Sequence, residues 1–186
     1  AALAAIPSTA VSAIAPDVFS NLTTAQVAAL TPAQFGALDH TAKTGQLAQI
    51  GADQAAGITP AQIKKLNSDA IAALNSDAIV SLSTTTLAAI EPSTFSQLTP
   101  VAFSALSAKQ IAALTPAQLS HLTNGQILQF GADQAGGLTT AQLTKIDPAI
   151  VASMPSDAFA ELKPSLISSL DFTDFTATQV ANLSPE

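Results

Sequence analysis

The feature that most constrains this chain is a large apolar residue at every eighth position. From Ile50 the anchors run through Ile58, Leu66, Leu74, Leu82, Ile90, Leu98, Leu106, Leu114, Leu122, Phe130, Leu138, Ile146, Met154 and Leu162 to Leu170. Earlier anchors are Ile6, Ile14, Leu22, Leu30 and Leu38. Each repeat is numbered so that its anchor is position eight. A second apolar set then falls at position five, with Val27, Phe35, Ile63, Phe103, Leu119 and Phe159 among its members; Ala55 and Ala135 are the exceptions. Residues at i and i+3 share one face of a helix but lie on opposite faces of a strand. The repeat therefore reads as helical.

One continuous helix is excluded. Eight residues turn an ideal helix by about 800°, so the apolar stripe would drift by about 80° per repeat and smear around the surface. Proline placement says the same. Nine of the eleven prolines stand at position two (Pro16, Pro32, Pro60, Pro92, Pro100, Pro116, Pro148, Pro164, Pro185), and Pro7 and Pro155 stand at position one. Proline costs nothing at the first helical residue and about 3 kcal/mol in a helix interior. Position one carries cap formers, among them Thr23, Thr31, Thr59, Asn67, Asn75, Ser83, Thr115 and Asp147, each worth about 1 kcal/mol over Ala. Position four is often Gln, as in Gln26, Gln34, Gln62, Gln118 and Gln142. Thr-x-x-Gln is a capping box. Asp17, Asp53, Asp69, Asp77, Asp133 and Asp157 at position three fall in the first turn, where the helix dipole favours them.

The expected fold is all-α: a solenoid or superhelix of very short helices, five to seven residues each, one per octapeptide. Such helices are unstable alone and need neighbours stacked on them. Positions five and eight are expected to fill a narrow core. Small residues at positions six and seven (Ala28, Ala29, Ala72, Ala73, Ala88, Ala89, Ala112, Ala113) are expected to let neighbouring helices approach. Residues 1–186 read as one continuous repeat domain, part of a longer array. Two repeats break the rhythm, 39–50 and 171–183. Residues 45–55 also match 125–135, which points to duplication of a block of about ten repeats.

Composition narrows the function classes. The chain carries a net charge of −7, with six Lys and no Arg, which argues against nucleic-acid binding. It has no Cys, so disulfides, thiol catalysis and thiolate metal sites are absent. No apolar run is long enough to insert in a membrane.

The unit Leu-Thr-Pro-Ala-Gln-(Ile/Val/Phe/Leu)-x-x-Leu, as in Leu114 to Leu122, resembles octapeptide tandem-repeat arrays of large bacterial and fungal surface proteins. The resemblance covers nearly the whole chain and implies an extracellular structural or adhesive role. The architecture is more distantly similar to the superhelical repeats of mesothelin-type cell-surface proteins. DNA-binding TAL-effector repeats share Thr-Pro-Ala-Gln, but no variable base-reading pair recurs here.

Candidate sites are few. His40 and His121 are the only histidines, and neither has partners at catalytic or metal-ligand spacing. The two Gly-Ala-Asp-Gln-Ala copies, 51–55 and 131–135, read either as a paired ligand or ion site built on Asp53 and Asp133 or as a packing variant. One carboxylate per copy falls short of a calcium cage, so packing is preferred. Asn21 and Asn182 open N-glycosylation sequons. The Thr/Ser row at position one reads as caps rather than as an ice-binding ladder. No catalytic, cofactor or metal constellation emerges, and no enzyme is expected. The leading expectation is a non-enzymatic subunit or segment of an extracellular filament or surface layer, with self-association, neighbouring chains or glycans as partners. The second is a peptide- or glycan-binding solenoid. All eight Phe except Phe172 sit on core positions, which weighs against an aromatic binding groove.

Overall fold

The computed structural model describes residues 2–147, 151–163, 167–168 and 176–181. Among the described residues every regular element is helical, and there is no strand. The chain divides into two compact halves, Ala1–Leu98 and Thr99–Glu186, built on the same local rules.

Among the described residues the octapeptides each form one short helix. Typical spans are Pro16–Phe19, Pro32–Gly36 and Ser68–Ala73 in the first half, and Pro100–Ser104, Pro116–Ser120 and Ala132–Gly136 in the second. Lengths are four to six residues, slightly shorter than the repeat suggests. The reason lies at position eight. The Leu74 N–H bonds back to the Ile71 carbonyl at 3.2 Å, but Leu74 itself is extended (φ −66°, ψ 131°). Position one of the next repeat is extended too, as at Asn75 (φ −73°, ψ 164°). Two consecutive extended residues reverse the chain sharply and end the helix.

The start of each helix follows the expected chemistry. Thr31 Oγ1 accepts from the Gln34 N–H at 3.2 Å, and the Thr31 N–H donates to Gln34 Oε1 at 2.7 Å. The same reciprocal box forms at Thr23, Thr59, Ser107, Thr115, Thr123 and Thr139. Each box satisfies two otherwise orphaned N–H groups. Pro32, Pro60, Pro92, Pro100 and Pro116 are first helical residues. The position-one hydroxyls are engaged as caps.

The core differs from expectation in one respect. Positions five and eight are buried as predicted at Phe19, Phe35, Ile63, Phe95, Phe103 and Leu119 and at Leu66, Leu98 and Leu138, whereas the early anchors Ile6, Ile14 and Leu22 are only half-buried. The third buried column is position four, not six and seven. Gln34, Gln62, Ala70, Ala78, Thr86 and Ala102 are all buried, whereas Ala28, Ala29, Ala72 and Ala112 are exposed and Ala73, Ala88, Ala89 and Ala113 only half-buried. Positions four and eight are i and i+4, so four, five and eight share one face and six and seven turn outward. Close helix approach occurs instead at particular glycines, described below.

Long-range order is regular within each half. Helices pack on the helix three repeats along: Ser8–Ser12 on Pro32–Gly36 and Pro60–Ile63 on Thr84–Ala88 in the first half, Pro100–Ser104 on Asn124–Ile127 and Pro116–Ser120 on Thr140–Leu143 in the second. Side chains bridge four repeats back. Gln142 Nε2 donates to the Ile111 and Leu114 carbonyls, both at 2.8 Å. Gln134 does the same to Phe103 and Leu106, and Gln34 to Leu3 and Ile6. Contacts at both three and four repeats mean that one turn of the winding holds between three and four octapeptides. The Gln amide thus has two jobs: its oxygen closes its own helix, and its nitrogen ties that helix to positions five and eight of the turn beneath. Where Gln is absent, other groups serve. Asn75 Nδ2 donates to the Ala48 and Ile50 carbonyls, and Thr86 Oγ1 to Ile58.

Candidate functional site

The irregular repeat Asp39 to Ile50 keeps its scaffold positions and loops out the rest. Asp39 serves as position one and Gln46 as position four. The Asp39 N–H donates to Gln46 Oε1 at 3.1 Å, and the Leu47 N–H to the Asp39 carbonyl at 3.0 Å. Gln46 Nε2 still reaches four repeats back, to Val11 and Ile14, both at 2.9 Å. The insertion is a loop between these fixed points. Asp39 Oδ1 accepts from the Thr41 N–H at 2.9 Å and from Thr41 Oγ1 at 2.7 Å. These two hydrogen bonds hold its carboxyl below the usual carboxylate pKa. Lys43 adopts φ 70°, the left-handed region. A Cβ on Gly45 would lie 2.6 Å from the Asp39 carbonyl oxygen and the Thr41 nitrogen, so the loop closes only on glycine. His40 is exposed on this loop.

The counterpart repeat, 171–183, falls largely outside the described residues, which include only Thr176 and the helix Ala177–Ala181 in it. Phe172 and Asn182 also lie outside them. Asn21 is exposed, and its Nδ2 donates to the Asp17 carbonyl at 2.8 Å. His121 closes the helix Pro116–Ser120, with Nδ1 2.8 Å from the Ala117 carbonyl. An oxygen acceptor there places the ring proton on Nδ1. Neither histidine meets a second ligating group; among the described residues no three His, Asp or Glu side chains gather where they could hold a metal.

The two Gly-Ala-Asp-Gln-Ala segments border two similar clefts, one in each half. The first, about 540 Å³, is lined by Ser20 to Thr24, Gln49 and Gly51 to Gln54. The second, about 620 Å³, is lined by Ser104 to Ala108 and Gly131 to Gln134. Each holds a single carboxylate, Asp53 or Asp133, so neither is an ion cage. Gly51 and Gly131 stand at position one, where other repeats carry Thr, Ser, Asn or another side chain. Their φ values, −86° and −94°, suit any residue, and a Cβ on either would touch nothing within 4 Å.

The later glycines of these repeats are different. A Cβ on Gly57 would strike the Thr24 carbonyl, and one on Gly137 the Ala108 carbonyl, each at position two of the repeat three back. Ala55 and Ala135 are fully buried. Small residues at positions five and seven go with a close approach of these helices to the turn below. The packing reading of the motif therefore accounts for the Ala and the second Gly, and the open first Gly remains as a cleft.

The last feature is an edge that sequence reading did not single out. After Leu30 position four is buried at Gln34, Gln46, Gln54, Gln62, Ala70, Ala78 and Thr86 and half-buried at Thr94, but it is exposed at Ala10, Val18 and Gln26. Gln26 closes its own capping box through Oε1, 2.8 Å from the Thr23 nitrogen. Its Nε2 has no partner among the described residues.

The comparisons with known proteins bear on the repeat. Residues 87–124 match the family model described as the ALTTAQ repeat. The match supports a tandem-repeat protein, as the fold already indicates. No curated protein matches the chain.

Proposed function

We propose that this chain is a non-enzymatic structural or adhesive element, a subunit or segment of an extracellular filament or surface layer. The observation that carries this reading is the engagement of the polar side chains by the scaffold itself. In Thr59 to Leu66, Thr59 caps, Pro60 starts the helix, Gln62 ties two turns together, and Ile63 and Leu66 are buried. A motif repeated for shape is what a rod or layer needs. The resemblance of the octapeptide to arrays in large surface proteins supports the extracellular placement. The low charge, −7 overall without Arg, points away from nucleic-acid partners.

The paired clefts favour a second reading, a solenoid that binds peptide or glycan along its surface. Both clefts are bordered by hydroxyl and amide groups suited to such ligands. Surface biotinylation of intact producing cells, with electron microscopy of the extracted material, separates the readings. Labelled protein in ordered filaments or sheets supports the structural role. Protein protected from the label, or soluble monomers that retain a bound peptide or sugar, overturns it.

A further inference from the structure

We infer that Asn124 is a site of spontaneous covalent modification: its side-chain amide condenses with the Gly125 backbone nitrogen, and water opens the resulting ring to aspartate or isoaspartate. Asparagine is among the chemically labile residues, and the pair Asn-Gly occurs once in the chain. The reaction needs a side-chain amide free to turn, an unengaged nitrogen after it and room for a five-membered ring. Asn124 and Gly125 are both exposed. They open the helix Asn124–Ile127, where Thr123 Oγ1 accepts from the Gln126 N–H at 3.3 Å. That cap leaves the Gly125 N–H among the donors of a first turn that have no partner. Gly125 also has no Cβ to crowd the ring. The other described asparagines are held in place. Asn67 Oδ1 accepts from the Ala70 N–H at 2.9 Å, and Asn75 Oδ1 from the Ala78 N–H at 2.8 Å. Asn21 Nδ2 donates to the Asp17 carbonyl. The Asn124 amide makes no such bond among the described residues.

The Gly125 nitrogen forms a bond to Asn124 Cγ, the Cγ–Nδ2 bond breaks, and the Gly125 proton leaves with Nδ2 as ammonia. Water then adds to one of the two ring carbonyls. Opening at the side-chain carbonyl gives aspartate. Opening at the backbone carbonyl gives isoaspartate, which runs the main chain through Cβ and adds one carbon between Thr123 and Gly125. The barrier is the helical backbone at Asn124. Turning it gives up the bonds from the Ile127 N–H to the Thr123 carbonyl and from the Leu128 N–H to the Asn124 carbonyl, both at 3.0 Å. Two such bonds in an exposed helix of four residues make a low-cost local opening. Isoaspartate mis-spaces the capping box of Thr123 and Gln126 and loosens this helix from Pro100–Ser104, on which it packs. The inference is independent of the structural reading above.

The test is prolonged incubation of the 186-residue chain in warm neutral buffer, followed by peptide mapping with mass spectrometry and enzymatic methylation of isoaspartyl carboxylates. Two variants are treated alongside. Gly125→Ala places a Cβ in ordinary contact with Pro100, 3.4 Å from its Cγ. Asn124→Ser puts at position two the residue that Ser68 and Ser76 already supply there. Circular dichroism verifies that both fold as the parent does. Asn124 is expected to convert about tenfold or more faster than Asn21, Asn67 and Asn75 in the same sample, and Gly125→Ala to slow it by a similar factor. The incubated parent is expected to melt at a lower temperature than fresh protein, and Asn124→Ser to keep its melting temperature. Conversion of Asn124 no faster than that of the other three overturns the inference. Conversion that ignores Gly125→Ala, or a melting temperature that falls equally in Asn124→Ser, also overturns it.

Discussion

The side-chain nitrogen of Gln62 lies 2.8 Å from the Val27 carbonyl, 35 residues earlier, whereas that of Gln142 lies 2.8 Å from the Ile111 carbonyl, 31 residues earlier. The four-residue difference is the insertion in Asp39 to Ile50. Both contacts span four repeats, so the winding counts repeats and not residues. Gln62 is buried and also accepts from the Thr59 N–H at 2.7 Å. Gln62→Ala leaves the Val27 and Leu30 carbonyls without that donor in a buried setting. Unfolding by urea should show a loss of about 3 kcal/mol, from one to three per unsatisfied buried group.

Gln62→Glu makes the same contact pH-dependent. Burial and the two facing carbonyls disfavour the charged carboxylate, so its folded pKa rises above the unfolded value of about 4.3. The stabilising protonated form is present at low pH and is lost as pH rises through the folded pKa. The stability deficit relative to the parent should therefore be smaller near pH 4 than near pH 7. A deficit that is flat with pH would argue that the Nε2 bonds are not made.

Deleting residues 40–43 joins Asp39 to Thr44-Gly45-Gln46 and restores an octapeptide. Positions one, four, five and eight are untouched, and the left-handed Lys43 is removed. The shortened chain should fold with an unchanged circular dichroism spectrum and a melting temperature equal to or above the parent's. Collapse of the fold would show that the loop itself supports the winding.

The loop should also report a titration. Asp39 accepts two hydrogen bonds from Thr41, which lower its pKa from 3.8. A group depressed in the folded state adds order above its unfolded pKa and loses it as pH falls through the folded value. The Thr41 amide resonance should shift with an inflection below 3.8, and the shift should disappear in Asp39→Asn.

The glycines of the two cleft-forming repeats should behave oppositely. Gly51→Thr and Gly131→Thr place a cap in open space at ordinary φ, and each should stabilise by a few tenths of a kcal/mol. Gly57→Ala and Gly137→Ala push a methyl into a backbone carbonyl and should destabilise by about 1–3 kcal/mol. Thermal melts of the four single variants check this.

Much of this architecture is legible in the sequence because cap, proline and anchor are local signals. Thr115, Pro116, Gln118, Leu119 and Leu122 each do what their spacing implies. The second role of Gln is not local, and it was missed. A signal for it exists: a capping box accepts Glu as readily as Gln, yet position four never carries Glu. A carboxylate can only accept, whereas the Gln amide accepts at one end and donates at the other. Alanines at positions six and seven misled because small size suits both close packing and an exposed helix flank. The edge at Val18 and Gln26 depends on which turn covers which, and the winding that decides this lies in tertiary contacts.

The most direct test of the cross-turn winding is a nuclear Overhauser spectrum of the side-chain amides. The Gln62 amide protons should show contacts to Val27 and Leu30, and those of Gln142 to Ile111 and Leu114, with slowed exchange against solvent. Glutamine amides that exchange freely, or that contact only their own and adjacent repeats, would contradict the account.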